Sequence, residues 1–309
     1  MGKYYTIGQD HQDVRVDRFI RKELDIPQSL VEKFLRNGII LLNSLRVKSS
    51  TKLSVGDVIF VQNEYIISKE KKSRKVCKFA SESLVKLICD NVLYEDDNVL
   101  IINKPSGVSV QGGTKVKVSI SDVLDNIRVG ESMKIVHRLD KNTSGILVLA
   151  RNVRVSRLIM HEFKNRKVKK KYLALTRGMP DNDVGKIDYP IMRKKCNVSL
   201  DGKIQRDILF EQHAITIFSI LKKLPHNIGL LDLQPITGRK HQIRIHLSHI
   251  GCPIIGDVKY GKVCDNITSN YLQLHAYFLS ISIEGKEILV TIPMPSHMRD
   301  MILQLEGLL

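Results

Sequence analysis

Short apolar runs that alternate with helical stretches most constrain the fold of residues 91–309. The runs at 99–102, 146–149 and 229–233 have the length and apolar content of buried strands. Residues 152–165 lie between two of these runs and have apolar side chains at helical spacing. No repeat with a period of 20–50 residues interrupts this alternation. The pattern predicts a mixed α+β domain over residues 91–309.

The segment 14–62 has a different pattern and is predicted to be a small α+β unit. Helical spacing over 17–24 breaks at Pro27, and a second helix over 29–36 is ended by Asn37-Gly38. Three strand-like runs follow, separated by polar turns: 39–43, 47–53 and 58–61. Taken alone, the pattern is equally typical of a small structural cap.

The charge of the chain indicates a polyanionic partner. The sequence has 49 Lys+Arg against 32 Asp+Glu, a formal net charge of +17. Basic side chains recur along the two N-terminal helices, where several share a face: Arg15, Arg18, Arg21, Lys22, Lys33 and Arg36. Six more lie between residues 69 and 78 beside a single acid, Glu70. We therefore interpret residues 63–90 as a basic, solvated linker.

Several classes of protein are excluded by missing patterns. The five cysteines form no C-x-x-C pair, which disfavours a disulfide framework and a structural zinc site. Neither G-x-G-x-x-G nor G-x-x-x-x-G-K-[ST] occurs, so dinucleotide and nucleoside-triphosphate chemistry have no support. No apolar run is long enough for a membrane span. We expect a reduced, cytoplasmic protein that binds no membrane and no metal.

Polar clusters that interrupt apolar sequence are the places to look for a site, and the first contains Asp140. It reads His137-Arg138-Leu139-Asp140 and continues to Gly145, directly before a predicted strand. A carboxylate in such a turn can be a nucleophile, a general base or a metal ligand. It can also simply cap backbone N–H groups, which is the commoner role.

Two further clusters leave similar alternatives open. Tyr172 follows three lysines at the start of an alternating run, where it can stack on a base, transfer a proton or merely sit at a sheet edge. The third cluster runs from Pro235 to Leu247, and within it Lys240 and Arg244 are four residues apart. A guanidinium there can pair with a buried carboxylate or bind phosphate. His241, His246 and His249 lack the acid or cysteine of a recognisable metal site.

Together the clusters resemble the RluA-type pseudouridine synthases, and most of all the RluC subgroup. The resemblance lies in their order and in the motifs N-K-P-S-G-V-S-V-Q-G-G, H-R-L-D-K-N-T-S-G-I-L-V-L-A-R, K-K-K-Y-L-A-L and P-I-T-G-R-K-H-Q-I-R-I-H-L-S-H-I-G-C-P-I-I-G-D-V-K-Y-G. Segment 14–62 resembles an S4-type RNA-binding domain through R-V-D-R-F-I, I-P-Q-S-L-V-E-K-F-L-R-N-G and L-S-V-G-D-V-I.

This resemblance implies a fold and a function. We expect an S4-like domain at 14–62, the linker at 63–90 and a catalytic domain at 91–309 with a mixed, mostly antiparallel sheet and a central cleft. The chain would isomerise uridines of large-subunit ribosomal RNA to pseudouridine, as a monomer. Because the product is an isomer of the substrate, no cofactor is expected.

The resemblance also implies roles for individual residues. Asp140 would be the nucleophile, Arg244 its salt-bridge partner, and Tyr172 the side chain that stacks on the flipped base. Arg138 would fill the space that the flipped uridine leaves. Phosphate contacts are expected from Arg239 and Lys240 in the catalytic domain and from Arg15, Arg18, Lys33 and Arg36 in the S4-like domain. Lys240 stands where many relatives have Thr, which argues against a catalytic role there.

Two other functions compete with this hypothesis. A non-catalytic RNA-binding or ribosome-assembly protein on a synthase scaffold would explain the charge and the S4-like segment equally well. Such a protein is expected to lose at least one of Asp140, Tyr172 and Arg244, which are all present. A glycosidic-bond hydrolase would normally need two positioned carboxylates, and the sequence shows one candidate.

Overall fold

The structure is a computed structural model that describes residues 2–24, 26, 28–62, 78–112, 116–128, 130–198, 204–261 and 267–307. The chain divides into two units, residues 1–79 with 194–210 and residues 80–193 with 211–309. None of the helices in the described ranges is long and apolar enough to cross a membrane.

Two helices and a three-stranded sheet form the N-terminal unit. Helices α1 (Val16–Leu24) and α2 (Gln28–Asn37) are followed by strands β2 (Ile40–Leu42) and β3 (Val58–Gln62). Strand β1 (Gly2–Thr6) pairs antiparallel with β3, so that the sheet order is β1-β3-β2. The helices bury one apolar face, which includes Val16, Ile20 and Phe34, against this sheet. The predicted helices over 17–24 and 29–36 are confirmed.

Two features of the N-terminal half differ from the sequence predictions. The predicted strand over 47–53 is wrong, because its hydrogen bonds go to the start of α1: Val16 N–H donates to Thr51 O over 2.8 Å and Leu53 N–H to Val14 O over 2.9 Å. Of the predicted linker, residues 63–77 lie outside the described residues. Residues 78–89 form helix α3, whose Leu84 and Ile88 are buried among the apolar side chains of the second unit.

A ten-stranded sheet organises the second unit. Its helices after α3 are α4 (Ile120–Ile127), α5 (Val153–Lys164), α6 (Gln242–His249) and α7 (Ser296–Leu305). Its first strands are β4 (Val92–Glu95), β5 (Val99–Lys104), β6 (Lys134–Ile135), β7 (Ser144–Ala150), β8 (Lys169–Arg177) and β9 (Val184–Asp188). The later strands are β12 (Ile215–Leu224), β13 (Ile228–Pro235), β14 (Leu274–Ile283) and β15 (Lys286–Thr291). Strands β10 (Ile191–Val198) and β11 (Ile204–Gln212) form a separate two-stranded sheet, most of whose residues belong to the first unit.

The sheet is mixed and mostly antiparallel, as predicted. Its main path runs β4-β5-β7-β14-β8-β13-β12-β9, with β15 added beside β14 and β6 beside β7. Strands β7 and β14 are parallel, while the other described pairs are antiparallel. The predicted strands at 99–102, 146–149 and 229–233 and the predicted helix over 152–165 are confirmed.

Helices cover both faces of the sheet, which explains why strand β7 carries apolar residues on both sides. Every residue of β7 is buried: Ile146, Val148 and Ala150 pack on the α5 side, and Leu147 and Leu149 on the side of α3 and α4. At the other end of the sheet, α6 covers one face through Ile243 and Leu247, and α7 covers another apolar cluster through Met298 and Met301. The cleft described below opens near the middle of this sheet.

The contact between β7 and β14 depends on Gly145. A β-carbon at this position would lie 2.2 Å from the carbonyl oxygen of Ala276, and its φ of +116° is one that other residues rarely adopt. Gly285 has a φ of +82°, but a β-carbon there would meet no atom within 4 Å. Comparing alanine substitutions at these two positions therefore separates the cost of backbone strain from the cost of a steric clash.

We expect Gly145→Ala to lower the free energy of unfolding by about 3 kcal/mol or more, and Gly285→Ala by only about 1 kcal/mol. Both substitutions impose the same kind of backbone strain, but only the first drives a methyl group into a neighbouring strand. Urea denaturation of the two variants and the wild type measures the difference. If both variants lost the same free energy of unfolding, the close approach of β7 and β14 would not be the reason that position 145 requires glycine.

Candidate active site

Asp140 lies in the loop between β6 and β7, which a second loop holds in place. Leu139 anchors it in the core with 4% of its surface exposed. Gly107 N–H donates to the carbonyl oxygen of Lys141 over 2.9 Å, and the Ser106 hydroxyl donates to that of Asn142 over 2.8 Å. The N-K-P-S-G motif thus fixes the backbone beside Asp140.

Lys104, from the same motif, is fully buried behind this loop. Its ammonium donates to the carbonyl oxygens of Pro105, Val108 and Lys141 over 2.8, 3.0 and 3.1 Å. Burial lowers the pKa of Lys104 to about 7, and the carboxylate of Asp140 opposes this shift. The three carbonyls match the three donors of an ammonium, so Lys104 closes the loop as a buried cation. It was not among the site residues predicted from the sequence.

The Asp140 carboxylate faces two donors, one on each oxygen. Its Oδ2 lies 3.5 Å from Nη1 of Arg244, and its Oδ1 lies 3.6 Å from Nε2 of His241. The side chain remains 18% exposed to the cleft. Among the residues that the structure describes, no backbone N–H donates to this carboxylate. The carboxylate therefore does not act as a turn cap in the described structure, and it faces the cleft.

Arg244 is held mainly by a second acid, Asp257, which sequence reasoning missed. Its Nε and Nη2 each donate over 2.7 Å to the two oxygens of Asp257, whose side chain is 1% exposed. The backbone N–H groups of Lys259 and Tyr260 also donate to Asp257. Burial alone would raise the pKa of Asp257, but these hydrogen bonds and the charge of Arg244 lower it. The remaining nitrogen, Nη1, is the one that faces Asp140.

Tyr172 lies on β8, where it packs against apolar clusters on both sides of the site. Its neighbours in the sheet are Leu233 on β13 and Ala276 on β14. Burial raises the pKa of Tyr172, and the carboxylate of Asp140 raises it further. The phenol is therefore protonated at neutral pH, so it can stack or donate a hydrogen bond but is a poor base in the free protein.

The predicted basic residues of the second unit lie around the same cleft. Its volume is about 690 Å³, and it is lined by Asp140, Tyr172 and Arg244 together with Arg138, Arg239 and Lys240. Arg138 is exposed and donates to Gln111 Oε1 over 3.2 Å, while Nε of Arg239 donates to His213 O over 3.2 Å. Lys240 is exposed. The structure thus brings all six of these residues together.

The side chain of Gln242 holds the start of helix α6 in place against the core of the second unit. Its Oε1 accepts from the Thr237 hydroxyl over 2.6 Å and from Arg239 N–H over 3.0 Å. Its Nε2 donates to Ile215 O over 2.9 Å.

Of the three histidines nearby, His246 contacts Tyr189 O through Nε2, and His249 stacks on the Tyr189 ring. The described residues contain no group of three or more side chains that could hold a metal ion.

The other predicted RNA-binding residues belong to the N-terminal unit. Arg15 donates through Nε to Asp17 over 3.1 Å, so its guanidinium helps to hold a buried carboxylate of α1. Arg18, Lys33 and Arg36 are exposed on α1 and α2. The prediction for Arg15 thus competes with a structural role, whereas Arg18 and Arg36 present their side chains to solvent.

Comparison with known proteins identifies the class to which this fold and site belong. The family model described as RNA pseudouridylate synthase matches residues 98–249. The chain therefore belongs to the pseudouridine synthases, of the RluA type, which isomerise uridine in RNA.

Curated relatives match over nearly the whole chain. A Rickettsia bellii protein named ribosomal large subunit pseudouridine synthase C is 37% identical, over 92% of this chain and 95% of its own length. A Buchnera aphidicola protein of the same name is 33% identical, over 95% and 94%. The solved structure titled human RNA pseudouridylate synthase domain containing 4 is similar at a TM-score of 0.63 and 30% identity, and covers 74% of this chain and 97% of that one.

We expect Asp257→Asn to lower the free energy of unfolding by about 3–5 kcal/mol at neutral pH, because Arg244 then loses its buried countercharge. Asp257 is ionised in the folded protein at a pH where it is already protonated in the unfolded chain. The stability that it contributes is therefore present above about pH 4 and is lost as the pH falls further.

Urea denaturation at several pH values measures this difference between Asp257→Asn and wild type. Asp183→Asn, which changes a carboxylate that is 69% exposed, is the matched control and should change stability by less than about 0.5 kcal/mol. A pH-independent gap between Asp257→Asn and wild type would contradict the assignment of the loss to this charge.

Proposed function

We propose that the protein converts uridines of large-subunit ribosomal RNA to pseudouridine, with Asp140 as the nucleophile. The observation that carries the proposal is the Asp140 carboxylate in the cleft, with Arg244 on one oxygen and His241 on the other. The choice of RNA rests on the curated relatives, whose name specifies the large ribosomal subunit. A ribosomal RNA substrate implies work in the cytoplasm.

The cleft suits the steps of this isomerisation. A partly shielded carboxylate beside a guanidinium is placed to form a covalent adduct with the substrate. The protonated Tyr172 offers a flat face for the uracil while it is detached from the ribose and turned. Reactant and product are isomers, so no group is consumed, but C5 of the uracil loses a proton and N1 gains one. The cleft therefore has to support proton transfer as well as nucleophilic attack and stacking.

The exposed basic residues at the rim suit an RNA substrate whose uridine leaves its stack. Arg138 lies in the loop between β6 and β7 and presents its guanidinium to solvent, where it can occupy the space of the flipped base. Arg239 and Lys240 border the same opening and are placed to contact phosphates.

The N-terminal unit supplies a second, sequence-independent contact in this proposal. Its two helices, followed by two of the three strands of a small sheet, agree with the order of elements expected of an S4-like domain. Arg18 and Arg36 are exposed and can follow a phosphate backbone. The domain would therefore add affinity for structured RNA, while the cleft selects the uridine.

We expect Asp140→Asn to lose at least about 1,000-fold of the wild-type rate, because the amide cannot act as the nucleophile. Unmodified large-subunit ribosomal RNA is incubated with each protein without cofactor or metal, and pseudouridine is mapped by chemical labelling and primer-extension stops. Asp183→Asn serves as the control for removing one surface carboxylate. New stops with wild type and Asp183→Asn alone would establish the isomerase and reveal its target uridines.

Two outcomes would contradict this proposal. If Asp140→Asn gave the same stops at the same rate as wild type, another residue would be the nucleophile. If wild type and Asp140→Asn both bound the RNA and neither gave stops, the non-catalytic RNA-binding function would be favoured for this RNA.

We expect the double variant Arg18→Gln, Arg36→Gln to flatten the salt dependence of RNA binding. Each lost phosphate contact should reduce the slope of log K against log salt by about 0.7–0.9. Filter binding between low and moderate salt measures the slope, and Arg299→Gln, an exposed arginine on α7, is the matched control. A slope identical to that of wild type would remove the N-terminal unit from the account of RNA binding.

A further inference from the structure

His241 connects the candidate nucleophile to a second aromatic residue. Its Nδ1 lies 2.8 Å from the hydroxyl oxygen of Tyr260, which is a hydrogen-bond distance. Its Nε2, on the opposite side of the ring, lies 3.6 Å from Oδ1 of Asp140. The second distance is just longer than a hydrogen bond, as catalytic contacts often are before substrate binds.

Electrostatics decides which way the hydrogen bonds of this chain run. If Nδ1 carried the proton, Nε2 would direct a lone pair at a negatively charged carboxylate oxygen. With the proton on Nε2, the ring presents an N–H to Asp140, and Nδ1 accepts from the Tyr260 hydroxyl. The second arrangement satisfies both contacts: Asp140 favours the tautomer with the proton on Nε2, and the Tyr260 hydroxyl stabilises that tautomer by donating to Nδ1.

The ring acts as a neutral donor rather than as a cation. Burial lowers the pKa of His241 to about 4, with Arg244, Lys259 and Lys240 acting in the same direction and Asp140 against them. His241 is 15% exposed at its side chain and is uncharged at neutral pH. Asp140 therefore faces one guanidinium and one neutral N–H, in addition to Lys104 behind its loop and the phenol of Tyr172.

The backbone of His241 has an uncommon conformation at the edge of the cleft. The residue caps the N-terminus of α6 with φ 59° and ψ 19°, in the left-handed region that favours glycine or asparagine. The His241 ring lines the cleft. A strained residue whose side chain lines a cleft is a candidate for a role in the chemistry of that cleft.

From this geometry we infer that His241 is a positioning residue for Asp140, and that Tyr260 acts through it by fixing its tautomer. His241 orients Oδ1 while Arg244 orients Oδ2, so the plane of the carboxylate is set from both sides. The inference rests on the proposed role of Asp140 as nucleophile. It adds two residues, one of which does not line the cleft, to the groups on which the rate depends.

Tyr260→Phe isolates the hydroxyl, because it keeps the ring that packs over the Arg244 guanidinium at 5.1 Å. We expect kcat to fall about 10- to 100-fold while KM for the RNA changes less than about 3-fold. His241→Asn, which suits the left-handed backbone, should lower kcat at least as much. The double variant should be no slower than His241→Asn alone, because Tyr260 acts only through His241. Tyr271→Phe, at a tyrosine that is 51% exposed, is the matched control.

A spectroscopic measurement on the free protein tests the tautomer without any RNA. Long-range proton–nitrogen correlation spectra, with His241 assigned from the His241→Asn spectrum, should show Nε2 protonated in wild type and a shift toward Nδ1–H in Tyr260→Phe. A wild-type ring protonated at Nδ1 would overturn the inference. So would a wild-type kcat in Tyr260→Phe, or losses that add in the double variant. The spectra decide the question even if large-subunit ribosomal RNA is not the substrate.

Discussion

The buried ion pair between Arg244 and Asp257 is the interaction on which the rest of the site depends. Two parallel hydrogen bonds of 2.7 Å fix the guanidinium in its plane, and backbone N–H groups of the following turn satisfy the same carboxylate. A buried arginine without such a partner would be strongly destabilising. With it, one nitrogen remains available to Asp140. The turn that begins at Gly256 therefore organises the cleft from outside, because it supplies both Asp257 and Tyr260.

Opposing electrostatic demands on Asp140 explain why so many groups surround it. In the role proposed for Asp140, a carboxylate needs positive potential from its surroundings, but a tight ion pair would occupy the oxygens that must react. Arg244 stays at 3.5 Å because Asp257 holds it back, and Lys104 directs its three donors to carbonyl groups. Both cations thus stabilise the charge of Asp140 through space while leaving its lone pairs largely uncommitted.

The features that the sequence predicts correctly are those determined by residues close to one another along the chain. Buried strands such as 146–149 and the helix at 152–165 have continuous local patterns, and the motif resemblance selected Asp140, Tyr172 and Arg244. Strand β1 is mostly exposed and is defined by its pairing with β3, so no apolar run in the sequence predicts it. Asp257 lies in the quoted I-I-G-D-V-K-Y-G motif, but its importance comes from a partner 13 residues earlier that only the fold brings within reach.

Left-handed backbone around the site shows how stability and function are divided between residues. At Gly145 and Gly256 a β-carbon would lie 2.2 and 2.0 Å from a neighbouring carbonyl oxygen, so packing alone requires glycine. His241 and Arg166 have φ of 59° as well, yet both keep long side chains and both line the cleft. Glycine or asparagine would relieve the strain at either position. At these two positions around the cleft a side chain therefore projects from a left-handed backbone, whereas Gly145 and Gly256 allow two stretches of backbone to approach each other closely.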